Sequence, residues 1–525
     1  MGDRNLDRRQ FIERMSMGVA ASTMAPLTFA QQANVSSRPN FLFIIADDLA
    51  HRTIHSLNNP EIHTPNLDRL AASGAAFTHC FHQGAWSGAV CIPSRTMLNS
   101  GLSAFHAEVG LDRVHTWGQT LGAARYDTYI CGKWHLDPTV LQRSFKEMGP
   151  VAPGFLAPGT DFYTDSPSDN DADHRNPTFA DDPAYFRPRP GDNWDPADKS
   201  LNGHWLHANI VDITRPDTIE HSSTIYADHV IEFLAKKSAT RETPFFAYLG
   251  FNAPHDPRQS PREYLDLYPQ DKIEVPPNFL PEHPFDIGPD TFGRDESLAP
   301  FPRTPDAVRL HRREYYAIIT HMDNEIGRIL DALEKSGHAS NTYVILTADH
   351  GLAVGEHGLL GKQNLYDCSI RIPLLISGPG IKPGKRIDEL VYQHSMYATT
   401  CELAGIPIPS TVEFPSLAPL LRREPHTLHD AVFTYHRHTQ RAIRTRTHKL
   451  IVYPQVQKIQ LFDIENDPWE MHDLSENPAS AQLKAGLFQQ LRQMQKELDD
   501  PLDLGDPLHG VWHVLPPRNK PSLHG

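Results

Sequence analysis

Four short apolar runs in this chain end abruptly in residues that a hydrophobic core would not choose. Residues 41–46 run into Asp47 and Asp48, 129–131 into Lys133 and His135, 245–251 into Asn252 and His255, and 343–346 into Asp349 and His350. Adjacent carboxylates such as Asp47 and Asp48 repel one another unless a cation sits between them. With Asp349 they supply hard oxygen ligands, the donor set of calcium or magnesium, while the imidazole of His350 also admits manganese or zinc. Taken singly, each Asp reads equally well as a helix cap or turn residue. Cys91 stands just before Pro93, Ser94 and Arg95, at the start of a helix predicted to stop near Gly101. A helix N-terminus favours anions through its free amides and its dipole. Lys133 and Lys362 are further candidates for holding an anion, although most lysines only solvate a surface.

Continuous apolar runs of this length fit strands buried on both faces, as in a parallel sheet. In open α/β sheets ligands gather at the carboxyl ends of the strands. Four such ends carrying Asp, His and Lys therefore predict one shared site. A fifth run, 374–376, stops at Ser377 and Gly378. Between the strands, Thr64, Pro65 and Gly74 bracket a short helix as cap, first-turn proline and terminator. Tyr315, Ile318, Ile319, Met322, Ile326, Ile329, Leu330 and Leu333 mark one face of a longer helix that stops near Gly337. After about residue 405 the pattern changes to short strands at 431–435, 449–453 and 460–464, followed by a helix over about 479–498. The expected fold is α/β: a large mixed, mostly parallel sheet sandwiched by helices, with a small C-terminal antiparallel sheet plus helix. The predicted division is 36–405 for the main domain and 406–525 for the C-terminal subdomain.

A chain of 525 residues with 39% hydrophobic content can bury one large core and a smaller second unit. Its net charge of −15 argues against nucleic acid as a partner, so an anionic substrate has to meet a local positive patch. The five scattered cysteines do not make a disulfide framework, and a special role for Cys91 has to come from its neighbours. With 30 histidines, His135 and His255 stand out only because each follows a strand.

The sequence Cys91-X-Pro93-Ser94-Arg95 resembles the motif of type I sulfatases, the formylglycine-dependent members of the alkaline phosphatase superfamily. The resemblance continues in order through Asp47-Asp48, Gly132-Lys133-Trp134-His135, Pro254-His255, Asp349-His350-Gly351 and Gly361-Lys362. It implies a sulfuric ester hydrolase in which a maturation enzyme, formylglycine-generating or radical, oxidises Cys91 to formylglycine. It further implies that Asp47, Asp48, Asp349, His350 and one oxygen of the modified residue 91 bind a divalent metal, Ca2+ first, with Mn2+ or Mg2+ as alternatives. His350 stands where many members have Asn. By the same resemblance Arg95 steadies the modified residue, and Lys133 and Lys362 neutralise sulfate oxygens. His135 is the base, and His255, with Lys362, gives a proton to the departing alkoxide. A phosphonate or phosphodiester hydrolase of the same superfamily, or a choline-sulfatase, is the alternative.

Residues 151–215 and 256–308 are rich in Pro, Asp and Gly without periodicity, as functional loops often are. Trp194, Trp205 and His207 offer an aromatic platform for a sugar, or simply loop packing. His436, Arg437 and His438, with Arg441, Arg444 and Arg446, offer positive charge to flanking sulfates, or make a basic edge strand that resists aggregation. The N-terminal 32 residues, with Arg8 and Arg9 ahead of an Ala/Ser/Met-rich run, resemble a twin-arginine export signal. That resemblance implies the export machinery as a partner and a periplasmic or extracellular destination.

Overall fold

The computed structural model describes residues 38–152, 210–211, 215, 219–238, 243–256, 258–288, 294–299, 301–422 and 427–513. Trp194, Trp205, His207 and the N-terminal 32 residues lie outside them. Among the described residues the main sheet has nine strands: β1 (Asn40–Ala46), β2 (Ala75–Phe81), β4 (Asp127–Lys133), β5 (Glu147–Ala152), β6 (Phe245–Gly250), β7 (Thr342–Ala348), β8 (Arg371–Ser377), β9 (Lys385–Ile387) and β10 (Val391–Tyr392). Their order is β9-β2-β8-β7-β1-β6-β4-β5, with β10 also on β2. β1 is parallel to both β6 and β7, β4 to β6 and β5, and β9 and β10 to β2. β8 is antiparallel to both its neighbours and is the one strand of this sheet that runs against the rest. Every residue of β1, β6 and β7 is buried, which accounts for their unbroken apolar sequences. β2 was not legible, because Thr78 and His79 interrupt its run.

Helices α1 (Pro65–Ser73), α2 (Cys91–Ser100), α3 (Ser222–Ser238) and α4 (Pro305–Lys335) pack around this sheet. α4 is ten residues longer at its start than its apolar stripe suggested; the Thr304 hydroxyl caps it by accepting from Ala307 N at 3.2 Å. α1 starts and stops as expected, but Thr64 does not cap it. The Thr64 hydroxyl accepts from His55 N at 2.9 Å, and the carboxylate of Asp323 on α4 takes the free amides of Asn66 and Leu67 at 3.1 and 2.7 Å. Burial raises the Asp323 pKa to about 6.

The second sheet has the order β14-β13-β12-β11-β3, where β3 is Gly84–Ala85, β11 Ala431–His436, β12 Gln440–Thr445, β13 His448–Tyr453 and β14 Lys458–Asp463. Helix α5 (Ala481–Glu497) packs against it through Leu487, Phe488 and Leu491. The four C-terminal strands pair antiparallel, as expected, and β3 from the main part of the chain adds to β11 in parallel. One correction follows: β12 is not a basic edge strand, since it lies between β11 and β13, and Arg441 and Arg444 meet acidic partners. Arg441 pairs with Asp500 at 2.6 Å, and buried Arg444 pairs with Asp367 at 3.2 Å. Arg446 pairs with Glu389 at 2.8 Å. Among the described residues no helix is long and apolar enough to cross a membrane.

The turn Gln393–Ser395 leads from β10 back under the site. Its His394 is fully buried against Phe414, and among the described residues neither ring nitrogen has a hydrogen-bond partner. Burial lowers its pKa from 6.5 to about 3, so the folded protein keeps the ring neutral while the unfolded chain protonates it. The stability tied to this group is complete above pH 6.5 and is lost as pH falls toward 3. His394→Leu is expected to lose about 2 to 3 kcal/mol less than the wild type when stability is compared at about pH 4.5 and pH 7.5. Urea unfolding at the two pH values measures it; identical pH dependence in the two proteins would refute the assignment.

Candidate active site and metal centre

The carboxyl ends of β1, β4, β6 and β7 lie side by side, which brings the four polar clusters together as the sequence predicts. Asp47, Asp48, Cys91, Arg95, Lys133, His255, Asp349, His350 and Lys362 are all buried. Asp48 leaves β1 in the left-handed region at φ 69°, and its carboxylate stays among the ligand atoms of Asp47, Cys91 and His255. His135 also has positive φ, 61°, two residues beyond Lys133, and is only partly buried.

Cys91 is the first residue of α2, with Val90 as cap. His350 Nε2 approaches its Sγ at 3.5 Å and Lys133 Nζ at 4.0 Å. Two groups of potential ligand atoms, Asp47-Asp48-Cys91-His255 and Asp47-Cys91-Asp349-His350, each fall within 4.8 Å of one another. The tautomer of His350 suits a ligand. Its Nδ1 donates to Gly351 O at 2.9 Å, which leaves Nε2 facing Asp48 Oδ1 at 2.9 Å, Asp349 Oδ1 at 3.5 Å and Asp47 Oδ1 at 4.0 Å. Among the described residues buried Asp47 Oδ1 has no hydrogen-bond partner. Burial lowers the pKa of His350, but Asp349 and Asp48 outweigh it and raise it well above normal. Carboxylates that pull so hard on a proton offer the same field to a cation. Three carboxylates, one of them with an orphaned buried oxygen, and an imidazole nitrogen therefore fit a divalent ion, with the oxygen donors favouring a hard one.

Cations complete the balance. Lys133 Nζ donates to Asp47 Oδ2, and Lys362 Nζ lies 2.7 Å from Asp48 Oδ2 and 2.9 Å from His255 Nε2. Arg95 Nε donates to Asp349 Oδ2 at 3.0 Å and its Nη1 to Lys133 O at 2.9 Å, tying α2 to β7 and β4. Burial works to raise Asp47, but Lys133 and then His255, Arg95 and Lys362 hold it well below the usual carboxylate range. Burial and then Asp47 push Asp349 up. Burial and then Lys133 lower His135 to about 2, which keeps its imidazole neutral.

Ser94 has a structural part in the motif. Its hydroxyl donates to Asp349 O at 2.7 Å and accepts from Gln393 Nε2 at 2.6 Å, which fixes α2 against the end of β7. Gln393 was not foreseen, and neither was the grip on Lys362. Glu296 accepts from Leu360 N and Gly361 N, at 2.9 and 2.8 Å, and pairs with Arg303 at 2.9 Å. Both residues come from a segment with no periodicity, more than fifty residues away in sequence, so nothing local signals them. His436 is 2% exposed at the end of β11, where its backbone pairs with Ala85 ahead of Cys91; His438 is partly buried beyond it.

Comparison with known proteins agrees with this geometry. Residues 39–406 match the family described as Sulfatase, and residues 355–497 match N-sulphoglucosamine sulphohydrolase, C-terminal. The chain belongs to the sulfatase family. A sulfatase of Formosa agariphila is 30% identical over 447 residues, spanning 82% of each chain. An N-acetylglucosamine-6-O-sulfatase of Bacteroides thetaiotaomicron is 26% identical over 531 residues, covering 91% of this sulfatase and 90% of the relative. A phosphonate monoester hydrolase from Silicibacter pomeroyi shares the fold with a TM-score of 0.67 at 22% identity, over 89% of this chain and 97% of that one.

Proposed function

We propose that this sulfatase removes sulfate from a sulfated carbohydrate, with Cys91 used as formylglycine and Asp47, Asp48, Asp349 and His350 holding calcium or a similar divalent ion. The observation that carries the reading is the convergence of Cys91 Sγ with carboxylate and imidazole ligand atoms within 4.8 Å, flanked by Lys133 and Lys362. The formylglycine hydrate would supply a pair of hydroxyls, and the ion Lewis-acid polarisation. The chain's own residues do the rest. Lys133 and Lys362 offset the charge of the ester, and Arg95 keeps Asp349 turned toward the cluster. His255 Nδ1 donates to Asp256 O at 2.8 Å, so Nε2, beside Lys362, is the nitrogen from which a proton reaches the departing alkoxide. His135, held neutral, is the base for the remaining hydroxyl.

Carbohydrate as the substrate class is supported by the relative named N-acetylglucosamine-6-O-sulfatase. Phosphonate or phosphodiester hydrolysis remains the second reading because an enzyme of that name shares the fold. Residues 1–32 as an export signal, a maturation enzyme as partner and a periplasmic or extracellular site belong to the same proposal.

Mass spectrometry of the peptide containing residue 91, from the native host, is expected to show the aldehyde or its hydrate. The same preparation is expected to turn over an aryl sulfate faster than an aryl phosphodiester. Chelation is expected to abolish turnover and calcium or manganese to restore it. An unmodified thiol in fully active protein, or full activity with metal shown to be absent, sinks the reading.

A further inference from the structure

At the end of the main sheet that carries the catalytic cluster, a cleft of two lobes opens over Arg52 and Trp469, residues that line both. The larger lobe, about 270 Å³, is lined by Arg52, Arg371 and Arg386 and by no carboxylate. In a chain of net charge −15 such a lobe is not what composition alone would place. Its wall includes His51, 7% exposed, whose Nδ1 has no hydrogen-bond partner among the described residues. The arginines are held in place. The Arg52 guanidinium stacks 3.7 Å from the centre of the Trp469 ring, with Nη2 donating to Pro468 O. Arg371 Nε donates to Thr78 O at 2.7 Å, and its other nitrogens lie 3.6 Å or more from Asp367. Arg386 is exposed on β9, and among the described residues its guanidinium makes a 3.4 Å contact to Ser56 O. Burial and then Arg371 hold both His51 and His79 neutral, so the positive field reaches into the wall. The smaller lobe, about 170 Å³, is mixed: Glu61 lies 3.6 Å from Arg312, Glu356 lies 3.8 Å from Arg52, and Glu274 adds a third carboxylate.

We propose that this cleft is a second carbohydrate subsite, in which the arginine lobe holds a sulfate group of the substrate chain and the glutamate lobe hydrogen-bonds the hydroxyls of an adjoining sugar. Planar guanidinium forks bind tetrahedral oxyanions through paired N–H bonds, and a half-buried Trp edge offers an apolar surface to a sugar ring. None of the catalytic residues lines either lobe. Arg52 lies four residues beyond Asp48, and Leu352 of the smaller lobe three beyond Asp349, so the cleft opens at the same end of the sheet. One polymer could occupy both places, and the second contact raises the local concentration of the first. The inference rests on the carbohydrate reading of the function.

The test measures binding of the full-length, matured enzyme to dextran sulfate, unsulfated dextran and inorganic sulfate, alongside turnover of para-nitrophenyl sulfate. Wild type is expected to bind dextran sulfate well above dextran and inorganic sulfate, with affinity falling as salt rises. Arg386→Glu is expected to weaken dextran sulfate binding about tenfold or more, Arg386→Lys much less, and neither to change aryl sulfate turnover or the melting temperature. Trp469→Ala is expected to weaken the polymer but not inorganic sulfate. Wild-type affinity in Arg386→Glu, or equal binding of dextran and dextran sulfate, overturns the subsite. Inorganic sulfate binding as tightly as the polymer, and lost equally in Arg386→Glu, replaces it with a free-anion site. Absence of aryl sulfate turnover in the wild type counts against the function instead, and leaves the binding comparison to judge the cleft.

Discussion

Replacing Cys91 with serine is expected to stop the enzyme after a single event. Serine at the head of α2 retains one hydroxyl among the ligand atoms of Asp47, Asp349 and His350, enough to attack sulfur and expel the alcohol. The sulfuryl group moves from the alcohol oxygen to the serine oxygen, and the serine proton ends on the departing alkoxide, by way of His255 and Lys362. No second hydroxyl is present on that carbon from which to eliminate sulfate. Protein whose residue 91 is confirmed as serine is therefore expected to release at most about one equivalent of alcohol and to carry a sulfated serine, with steady-state turnover down on the order of a thousandfold or more. Cys91→Ala is expected to give neither burst nor adduct. Rapid-quench measurement of the alcohol and intact-mass analysis decide it. Sustained turnover by the serine variant near the wild-type rate would show that the paired hydroxyls are unnecessary.

How much of this site could be read in advance depended on how local its cause was. Asp47, Lys133 and Asp349 were legible because each stands at the carboxyl end of a buried strand, where an apolar run has no reason to stop in a charge, and His255 because it follows a fourth such strand within one turn. The parallel order of those strands then places them together. Residues that hold the site from a distance left no such mark. Gln393 reaches Ser94 across about three hundred residues, and Glu296 grips the Lys362 loop from a stretch without periodicity.

The arginines of β12 show the opposite failure. Arg441 and Arg444 look like surface charge in sequence, because only the fold supplies Asp500 and Asp367 as buried partners. Thr64 misled in a smaller way. Its position is that of a cap, yet Asp323 from α4 takes the amides and leaves the hydroxyl to His55. Long-range pairing overrides the local signal in each case, and local signals are all that a single sequence exposes.

Arg95 carries the largest structural stake among the residues of the motif. It is completely buried, its only ion-pair partner among the described residues is Asp349, and its second bond, to Lys133 O, joins α2 to β4. Asp47, Asp48 and Asp349 crowd the same point, and Asp349 is already pushed up by burial and by Asp47. Removing the guanidinium leaves a buried carboxylate short of its counter-charge, a change that typically costs about 3 to 5 kcal/mol. Arg95→Met, close in volume but uncharged, is expected to lose that much stability in urea unfolding under chelating conditions, and to recover part of it when calcium is added, since a divalent ion offsets the same carboxylates. Turnover is expected to fall on the order of a hundredfold or more even in calcium, because Asp349 is no longer fixed by the Arg95 Nε bond. Arg95→Lys keeps the charge without the two-sided fork, and is expected to recover more stability than activity. Unfolding within about 0.5 kcal/mol of wild type for Arg95→Met, together with turnover within about tenfold, would mean that the Asp48 and His350 amides on its carboxylate, with Ser94 and Gln393 on its carbonyl, suffice to hold Asp349 and that the guanidinium is dispensable.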